Sequence, residues 1–358
     1  MLHPHRTWSQ ALMTALPDEP RRALATLEFL ANDPVARAQV GRSPHEVIHR
    51  QGKSALRYFA PASGAEPSAP LFITMPLINT WAIFDLLPGR SVIQALNAAG
   101  VPVYLLDWGR PGPEDQALTV GYLIDTVLVR AFDRARRHAR ARGGEGTLDA
   151  VGYCVGGTFL TVALARHPGL ARRLCLLATP IDFHLSGRLS RWADPRTFPL
   201  DDIVDGYGNF PAEMMRDSFA WLRPMGQLNK WRSLADRIDS PSFTELWAAM
   251  ERWSGDNTDF AGEAYREYVR RCYFDNALVA GGWNLNGRVV DLREGLAPAL
   301  VLACSDDHIV PPESAFALAS LWGAPVRTET LKGGHVGVCV GAELPRRLCS
   351  WAAEAPAA

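Results

Sequence analysis

Residues 148–167 read Leu-Asp-Ala-Val-Gly-Tyr-Cys-Val-Gly-Gly-Thr-Phe-Leu-Thr-Val-Ala-Leu-Ala-Arg-His, and this stretch decides the fold. A short apolar run ends at Gly152-Tyr153-Cys154-Val155-Gly156, and an Ala-rich apolar run of helical length follows it. This order predicts a strand, a sharp turn and a helix. The flanking glycines permit a turn tight enough to expose the Cys154 side chain, and the positive end of the following helix favours a thiolate. We therefore predict that Cys154 is a nucleophile, although the same five residues also fit a buried structural cysteine at a strand end.

Composition limits the classes of protein that the chain can be. Its 358 residues are 47% hydrophobic, which allows one large or two ordinary domains with a sizeable core. The 37 Lys and Arg nearly balance the 38 Asp and Glu, so the charge gives no support for binding nucleic acid or an anionic membrane. The six cysteines form no CxxC pair and no metal-ligand spacing, which indicates a reducing compartment and no metal site. Because no apolar run is long enough to cross a membrane, we expect a cytoplasmic protein without a membrane span.

Strand and helix patterns alternate along much of the chain. Apolar runs that predict buried strands occupy 71–75, 101–106, 148–153, 174–178, 298–304 and 326–331. Amphipathic patterns that predict helices occupy 91–100, about 120–142, and 313–321. Alternation of this kind predicts the α/β class, with a mostly parallel sheet covered by helices on both faces.

The predicted domain organisation has three parts. Residues 1–50 mix Pro, Arg and short amphipathic pieces and are interpreted as a peripheral N-terminal segment. Residues 51–180 and 291–358 form the predicted α/β core. Between them, 181–290 lacks clear strands and is interpreted as an inserted helical cap over the carboxyl edge of the sheet. This insertion contains Trp192, Trp221, Trp231, Trp247, Trp253 and Trp283, six of the eleven tryptophans, which either line an apolar substrate channel or belong to a core.

An acidic residue and a histidine follow the last two predicted strands. Asp307 comes after 298–304 and His335 comes after 326–331. The order nucleophile, acid, histidine is that of the α/β-hydrolases, so we predict a triad of Cys154, Asp307 and His335. Asp306 also fits the place of the acid. His308 also fits that of the base, but it lies directly beside the acid that would have to orient it.

Enzymes with this turn stabilise an oxyanion with two backbone N–H groups. One belongs to the residue after the nucleophile and the other to the loop after the first central strand. In this chain they are predicted to be the N–H of Val155 and that of Leu77 or Ile78. A plain strand-exit loop is the alternative for 77–78.

Several further segments carry a family resemblance over about 43–341. They are Ser43-Pro44-His45-Glu46-Val47-Ile48, Asp107-Trp108-Gly109, Gly152-Tyr153-Cys154-Val155-Gly156-Gly157, Thr179-Pro180-Ile181-Asp182-Phe183, Asp307-His308-Ile309-Val310-Pro311 and Gly333-Gly334-His335-Val336-Gly337. With these segments the chain resembles the polyhydroxyalkanoate synthases of the α/β-hydrolase superfamily, in particular the short catalytic subunit of the class III type.

The resemblance implies an activity and roles for the predicted triad. A synthase of this family polymerises (R)-3-hydroxyacyl-CoA with release of CoA, at the surface of polymer granules in the cytoplasm. The cysteine carries the acyl group, the histidine is its general base, and the aspartate helps to activate the substrate hydroxyl, which assigns these roles to Cys154, His335 and Asp307 rather than Asp306. No cofactor is implied, since the CoA thioester is the substrate. The chain departs from the family directly after Asn79, where Thr80-Trp81-Ala82 replaces the usual Arg or Lys followed by aromatic residues. This departure bears on substrate preference and on the entrance to the active site.

The resemblance also implies a partner. Only about 50 residues precede the predicted core, so we expect a second synthase subunit, with a self-sufficient homodimer as the alternative. The implied ligands are 3-hydroxyacyl-CoA and the growing polyester chain. Two other functions remain open at this point: a cysteine-dependent thioesterase or esterase, and a catalytically silent family member that coats granules.

Overall fold

A computed structural model describes residues 18–62 and 69–354. Within them an eight-stranded sheet has the order β1-β2-β4-β3-β5-β6-β7-β8. The strands are β1 Glu46–Gln51, β2 Ser54–Phe59, β3 Leu71–Thr74, β4 Val103–Asp107, β5 Asp149–Tyr153, β6 Leu174–Leu177, β7 Ala299–Cys304 and β8 Val326–Leu331. Strand β2 is antiparallel to both β1 and β4, and the remaining neighbours are parallel.

Burial across the sheet follows the apolar runs in the sequence. Every residue of β3, β5, β6 and β7 is buried, as expected for central strands of a parallel sheet that is covered on both faces. The edge strands β1 and β8 are partly exposed. The predicted α/β class with a mostly parallel sheet is confirmed.

Helices connect the strands and form most of the long segment between β6 and β7. They are α1 Asp18–Ala31, α2 Pro34–Arg37, α3 Val92–Ala98, α4 Val129–Ala141, α5 Val155–Arg166, α6 Arg188–Trp192, α7 Leu200–Tyr207, α8 Ala212–Leu222, α9 Pro224–Asp236, α10 Pro241–Ser254, α11 Gly262–Tyr268, α12 Ala277–Ala280, α13 Pro312–Phe316, α14 Leu318–Leu321, α15 Gly337–Val340 and α16 Glu343–Ala353. Two π-helical turns, Tyr122–Leu128 and Val269–Phe274, precede α4 and follow α11. Two-stranded ribbons join Asp85–Leu87 to Arg90–Ser91 and Asn284–Leu285 to Arg288–Val289.

The predicted boundary at residue 50 needs a correction, because β1 begins at Glu46 and the sheet therefore starts inside the segment 1–50. The strand escaped prediction because it is a polar edge strand, Glu-Val-Ile-His-Arg-Gln, without an apolar run. Residues 1–17 of that segment lie outside the described residues. Helix α1 contacts the stretch 181–290, since Arg21 forms an ion pair with Asp239 at 2.7 Å and the rings of Phe29 and Trp247 lie 6.1 Å apart.

The six tryptophans of 181–290 lie in three kinds of environment. Trp247 and Trp283 are buried in apolar clusters, whereas Trp221 and Trp231 are exposed. Trp192 and Trp253 line cavities that reach Cys154. Two of the six therefore line cavities at Cys154, and that these cavities form a substrate channel stays a prediction.

No helix in the described part of the chain is both long and apolar enough to span a bilayer.

Candidate active site

Cys154 occupies a strained turn between β5 and α5. Its backbone has φ 53° and ψ −136°, a conformation that residues with a side chain rarely adopt. The neighbouring glycines are needed for close packing: a Cβ on Gly156 would overlap the carbonyl group of Met75, and one on Gly157 would overlap the side chain of Thr179. Glycine at these two positions lets α5 begin directly against the loops after β3 and β6, with the sulfur facing a cavity.

His335 and Asp307 form a buried pair at the carboxyl end of the sheet. His335 Nδ1 lies 2.7 Å from Asp307 Oδ2. Asp307 Oδ1 accepts hydrogen bonds from the backbone N–H groups of Ile309 at 2.8 Å and Val310 at 2.9 Å. The Asp307 side chain is 0% exposed, so these three bonds hold a carboxylate that solvent does not reach.

Electrostatics favour a charged imidazole in this pair. Burial alone lowers the pKa of His335, but Cys154 and Asp307 both raise it, through charge and hydrogen bonding, and its pKa is raised to about 10. An imidazole of this basicity is well suited to take the proton of the facing Cys154 thiol. The structure thus brings together the three side chains predicted as a triad.

The two alternatives raised from the sequence lie apart from this arrangement. Asp306 is exposed and accepts a hydrogen bond from Ser305 Oγ at 3.1 Å. His308 does not bond Asp307; its Nδ1 is buried without a hydrogen-bond partner among the described residues. Burial and the nearby charge of Arg223 lower the pKa of His308. Asp307 and His335 are therefore the acid and the base that the geometry favours.

The predicted oxyanion residues separate into two environments. Ile78 and Val155 line the same cavity as Cys154, whereas Leu77 lines a different cavity beside Trp108. Of the two loop residues, Ile78 is thus the one that faces the nucleophile.

Residues of the stretch 181–290 hydrogen-bond to the loop that carries Leu77 and Ile78, the predicted oxyanion loop. The Thr258 hydroxyl donates to the carbonyl of Leu77 at 2.6 Å, and the Thr258 N–H donates to the carbonyl of Ile78 at 3.1 Å. Trp253 Nε1 donates to the carbonyl of Thr80 at 2.9 Å. Nothing in the sequence pointed to Thr258, because it lies 181 residues from Leu77 and belongs to no motif.

Asn79, which directly precedes the departure from the family pattern at Thr80-Trp81-Ala82, is part of the same contact. Its side-chain amide donates to the side chain of Asn257, and the two residues also form an isolated backbone bridge. The loop that carries Ile78 is therefore fixed by the segment 253–258.

Two cavities of different character meet at Cys154. One contains about 870 Å³ of empty space, part of it open to solvent, and is mainly apolar; its lining includes Trp192, Phe198, Phe210, Phe219, Phe260 and Tyr268. The other contains about 1820 Å³, also open to solvent, and is more polar; its lining includes Arg216, Asp217, Arg223, Lys230, Glu251, His308 and His335. The two cavities share Ile78, Cys154, Phe219 and Ile309. A substrate with one apolar and one anionic part could therefore present its junction to the sulfur.

No group of three or more His, Cys, Asp or Glu side chains within 18–62 and 69–354 is arranged to hold a metal ion.

Comparison with known proteins agrees with the fold and identifies relatives. Residues 84–341 match the family model of the alpha/beta hydrolase fold. A soluble variant of monoglyceride lipase from Saccharomyces cerevisiae superposes with a TM-score of 0.53 at 9% identity, over 88% of this chain and 96% of the lipase. At this identity the likeness concerns the fold alone.

Closer relatives are found by sequence. The chain is 33% identical over 313 residues to the poly(3-hydroxyalkanoate) polymerase subunit PhaC of Allochromatium vinosum, covering 86% of each chain. It is 29% identical to the subunit of the same name from Synechocystis sp., over 92% of this chain and 89% of the relative. A third PhaC subunit, from Haloferax mediterranei, is 33% identical over 86% of this chain, which spans only 62% of the length of that relative. The chain belongs to the poly(3-hydroxyalkanoate) polymerase PhaC family within the α/β-hydrolase superfamily.

Proposed function

We propose that this protein polymerises (R)-3-hydroxyacyl-CoA into polyhydroxyalkanoate and releases CoA, with the growing chain held as a thioester on Cys154. The observation that carries the proposal is the position of Cys154, which lies opposite the His335–Asp307 pair at the junction of an apolar and a polar cavity. Membership of a family whose relatives are named poly(3-hydroxyalkanoate) polymerase supports it.

In the proposed acylation step, His335 takes the proton of Cys154 and the thiolate attacks the thioester carbonyl carbon of the substrate. The backbone N–H groups of Val155 and Ile78 stabilise the oxyanion that forms. The bond between carbon and the CoA sulfur then breaks, and His335 returns the proton to CoA. Exchange of one thioester for another is nearly isoenergetic, so the acyl group stays activated for the next step.

In the proposed elongation step, the 3-hydroxyl group of an incoming 3-hydroxyacyl-CoA is the nucleophile and the acyl thioester on Cys154 is the electrophile. His335 removes the hydroxyl proton, and Asp307 stabilises the imidazolium that results. The new ester bond forms as the bond to the Cys154 sulfur breaks, and His335 gives its proton to that sulfur. The lengthened chain, now a CoA thioester, then acylates Cys154 again by the first step and releases CoA. The step needs no cofactor besides the CoA substrate.

The two cavities match the two halves of the substrate. Arg216, Arg223 and Lys230 line the polar cavity and provide positive charge for the phosphates of CoA. Arg216 and Lys230 also form ion pairs with Asp217 and Glu251, whereas Arg223 has no ion pair among the described residues. The aromatic cavity suits the acyl group and the polyester, and its apolar lining disfavours the water that would hydrolyse the thioester.

The proposal extends to partners and location. A second synthase subunit or a second copy of this chain assists polymerisation, an expectation that the name "subunit" of the relatives supports. The protein works in the cytoplasm at the surface of the polymer granules that it makes.

The test is turnover of 3-hydroxybutyryl-CoA by the purified chain, with and without a candidate second subunit. The proposal predicts CoA release together with polymer that sediments and yields 3-hydroxybutyrate only after alkaline hydrolysis. Free 3-hydroxybutyrate as the sole product would instead identify a thioesterase. Absence of CoA release under both conditions would indicate a catalytically silent family member.

A further inference from the structure

The apolar cavity above Cys154 contains few polar groups, and two of them form a pair. Tyr268 and Tyr273 both line the cavity together with Cys154. Their rings lie 5.9 Å apart, centroid to centroid, at an interplanar angle of 84°. The cavity thus presents the phenol groups of Tyr268 and Tyr273 side by side, with Tyr265 and Ser218 as further polar residues in a mainly aromatic and aliphatic wall.

A π-helical turn places the two tyrosines on one side of the chain. Residues five apart fall on different faces of a regular α-helix, which has 3.6 residues per turn. Here the segment Val269–Phe274 is π-helical, and hydrogen bonding from residue i to i+5 returns Tyr273 to the side of Tyr268. Insertions of this kind occur often at functional sites, and this one has an evident consequence for the cavity.

The loop after β6 fixes the turn. Asn276 accepts a hydrogen bond from the N–H of Phe183 at 3.0 Å and donates one to Asp182 at 2.9 Å. The Phe183 ring packs against both tyrosines, at 5.7 Å from Tyr268 and 4.9 Å from Tyr273. The motif Thr179-Pro180-Ile181-Asp182-Phe183, which has no place in the triad, thus supports the pair.

Both tyrosines lie close to Cys154. Burial raises the pKa of both, and charge on Cys154 raises it further, so both phenols lie within electrostatic reach of the sulfur. Because Tyr268 and Tyr273 line the same cavity as Cys154, either hydroxyl can meet an acyl group bound there.

We infer that the phenols of Tyr268 and Tyr273 hydrogen-bond the 3-hydroxyl group of the acyl group that enters the cavity. The inference deepens the proposed function and rests on it. A substrate hydroxyl that leaves water for an apolar cavity loses its hydrogen bonds unless the wall replaces them. A donor at this place therefore favours 3-hydroxyacyl groups over acyl groups without the hydroxyl.

The test compares two substrates that differ only in that hydroxyl. The second-order rate constant of Cys154 acylation is measured as stopped-flow CoA release from (R)-3-hydroxybutyryl-CoA and from butyryl-CoA. In Tyr273→Phe we expect the constant for the hydroxyacyl substrate to fall about 10- to 100-fold and that for butyryl-CoA to stay within about twofold. Tyr268→Phe should shift the ratio in the same direction.

Tyr265 provides a matched control, because it lines the same cavity but stacks on Phe210 at 4.1 Å, and burial alone raises its pKa. Tyr265→Phe should leave the ratio of the two rate constants unchanged. An equal loss for both substrates in Tyr273→Phe, or no loss for either, would overturn the inference while leaving the synthase assignment intact. If the wild-type chain released CoA from neither substrate, the proposed function would fall and the inference with it.

Discussion

Replacing Asp307 with Asn should affect the two chemical steps unequally. Asp307 Oδ1 accepts two hydrogen bonds, from the N–H groups of Ile309 and Val310, and the side-chain oxygen of Asn can accept both. The charge-assisted bond to His335 Nδ1 cannot be kept, because the amide nitrogen is a donor. The variant thus removes one buried ionic bond with little change in shape.

The size of the effect follows from that bond. Hydrogen bonds to charged groups contribute about 1.5–3 kcal/mol, which corresponds to about 10- to 150-fold in a rate that requires the imidazolium. Elongation loses the full energy of this hydrogen bond, because His335 becomes charged only in the transition state, when it removes a proton from a weakly acidic hydroxyl. Acylation starts from a pair in which Cys154 itself raises the pKa of His335. The lost hydrogen bond therefore already destabilises the ground state, and only part of its energy adds to the barrier. We expect acylation to fall by less than about tenfold and elongation by about 10- to 150-fold.

Single-turnover CoA release measures acylation, and steady-state polymer formation measures elongation. The two rates should diverge in Asp307→Asn. Equal losses would show that Asp307 supports His335 alike in both steps, as in an ordinary hydrolase triad, and no loss in either would remove Asp307 from the mechanism.

The free energy of unfolding of Asp307→Asn should also differ from that of the wild type in a way that depends on pH. The pKa of His335 is raised in the folded protein, so the pair stabilises the fold fully below the ordinary histidine pKa near 6.5 and progressively less as pH rises towards about 10. The free energy of unfolding of the wild type should exceed that of Asp307→Asn by about 1.5–3 kcal/mol at pH 6.5. Urea denaturation at pH 6.5 and pH 10 checks this, and a difference that grows with pH would contradict the assigned charge states.

Two further substitutions test the setting of Cys154. Thr258→Val keeps the shape of the side chain but removes the hydroxyl that donates to the carbonyl of Leu77, so kcat should fall about tenfold with little change in KM. A rise in KM with kcat unchanged would argue against a role for Thr258 in holding the predicted oxyanion loop. Gly156→Ala places a Cβ against the carbonyl of Met75 and should destabilise the fold by about 1–3 kcal/mol or more in thermal denaturation. In helix α9, Gly226→Ala places a Cβ at an ordinary contact distance of 3.5 Å from the Arg223 side chain and should not destabilise the fold.

Apolar runs in the sequence were sufficient to predict the central strands of the sheet and the residues that follow them at its carboxyl edge. Strand β8 coincides with the predicted 326–331, and the strand before it differs by one residue at its start. Because parallel strands end at one edge of the sheet, residues that follow β5, β7 and β8 meet there, which is why Cys154, Asp307 and His335 could be proposed together.

Features that depend on distant contacts or irregular backbone could not be predicted. Tyr268 and Tyr273 have the wrong spacing for one face of an α-helix, and only the π-helical turn brings them together. Thr258 acts through a contact across 181 residues. The helix predicted at 313–321 is divided at Ala317 into α13 and α14, and no pattern in the sequence signals that interruption.

The central claim is that Cys154 carries the acyl chain, and peptide mass spectrometry of the acid-quenched reaction tests it most directly. After brief exposure to (R)-3-hydroxybutyryl-CoA, the peptide that contains Cys154 should gain one or more 3-hydroxybutyryl units, and Cys154→Ala should release no CoA. The other five cysteines are free in the structure and serve as internal controls. An adduct on Cys175 or Cys304 instead, or CoA release by Cys154→Ala, would contradict the account.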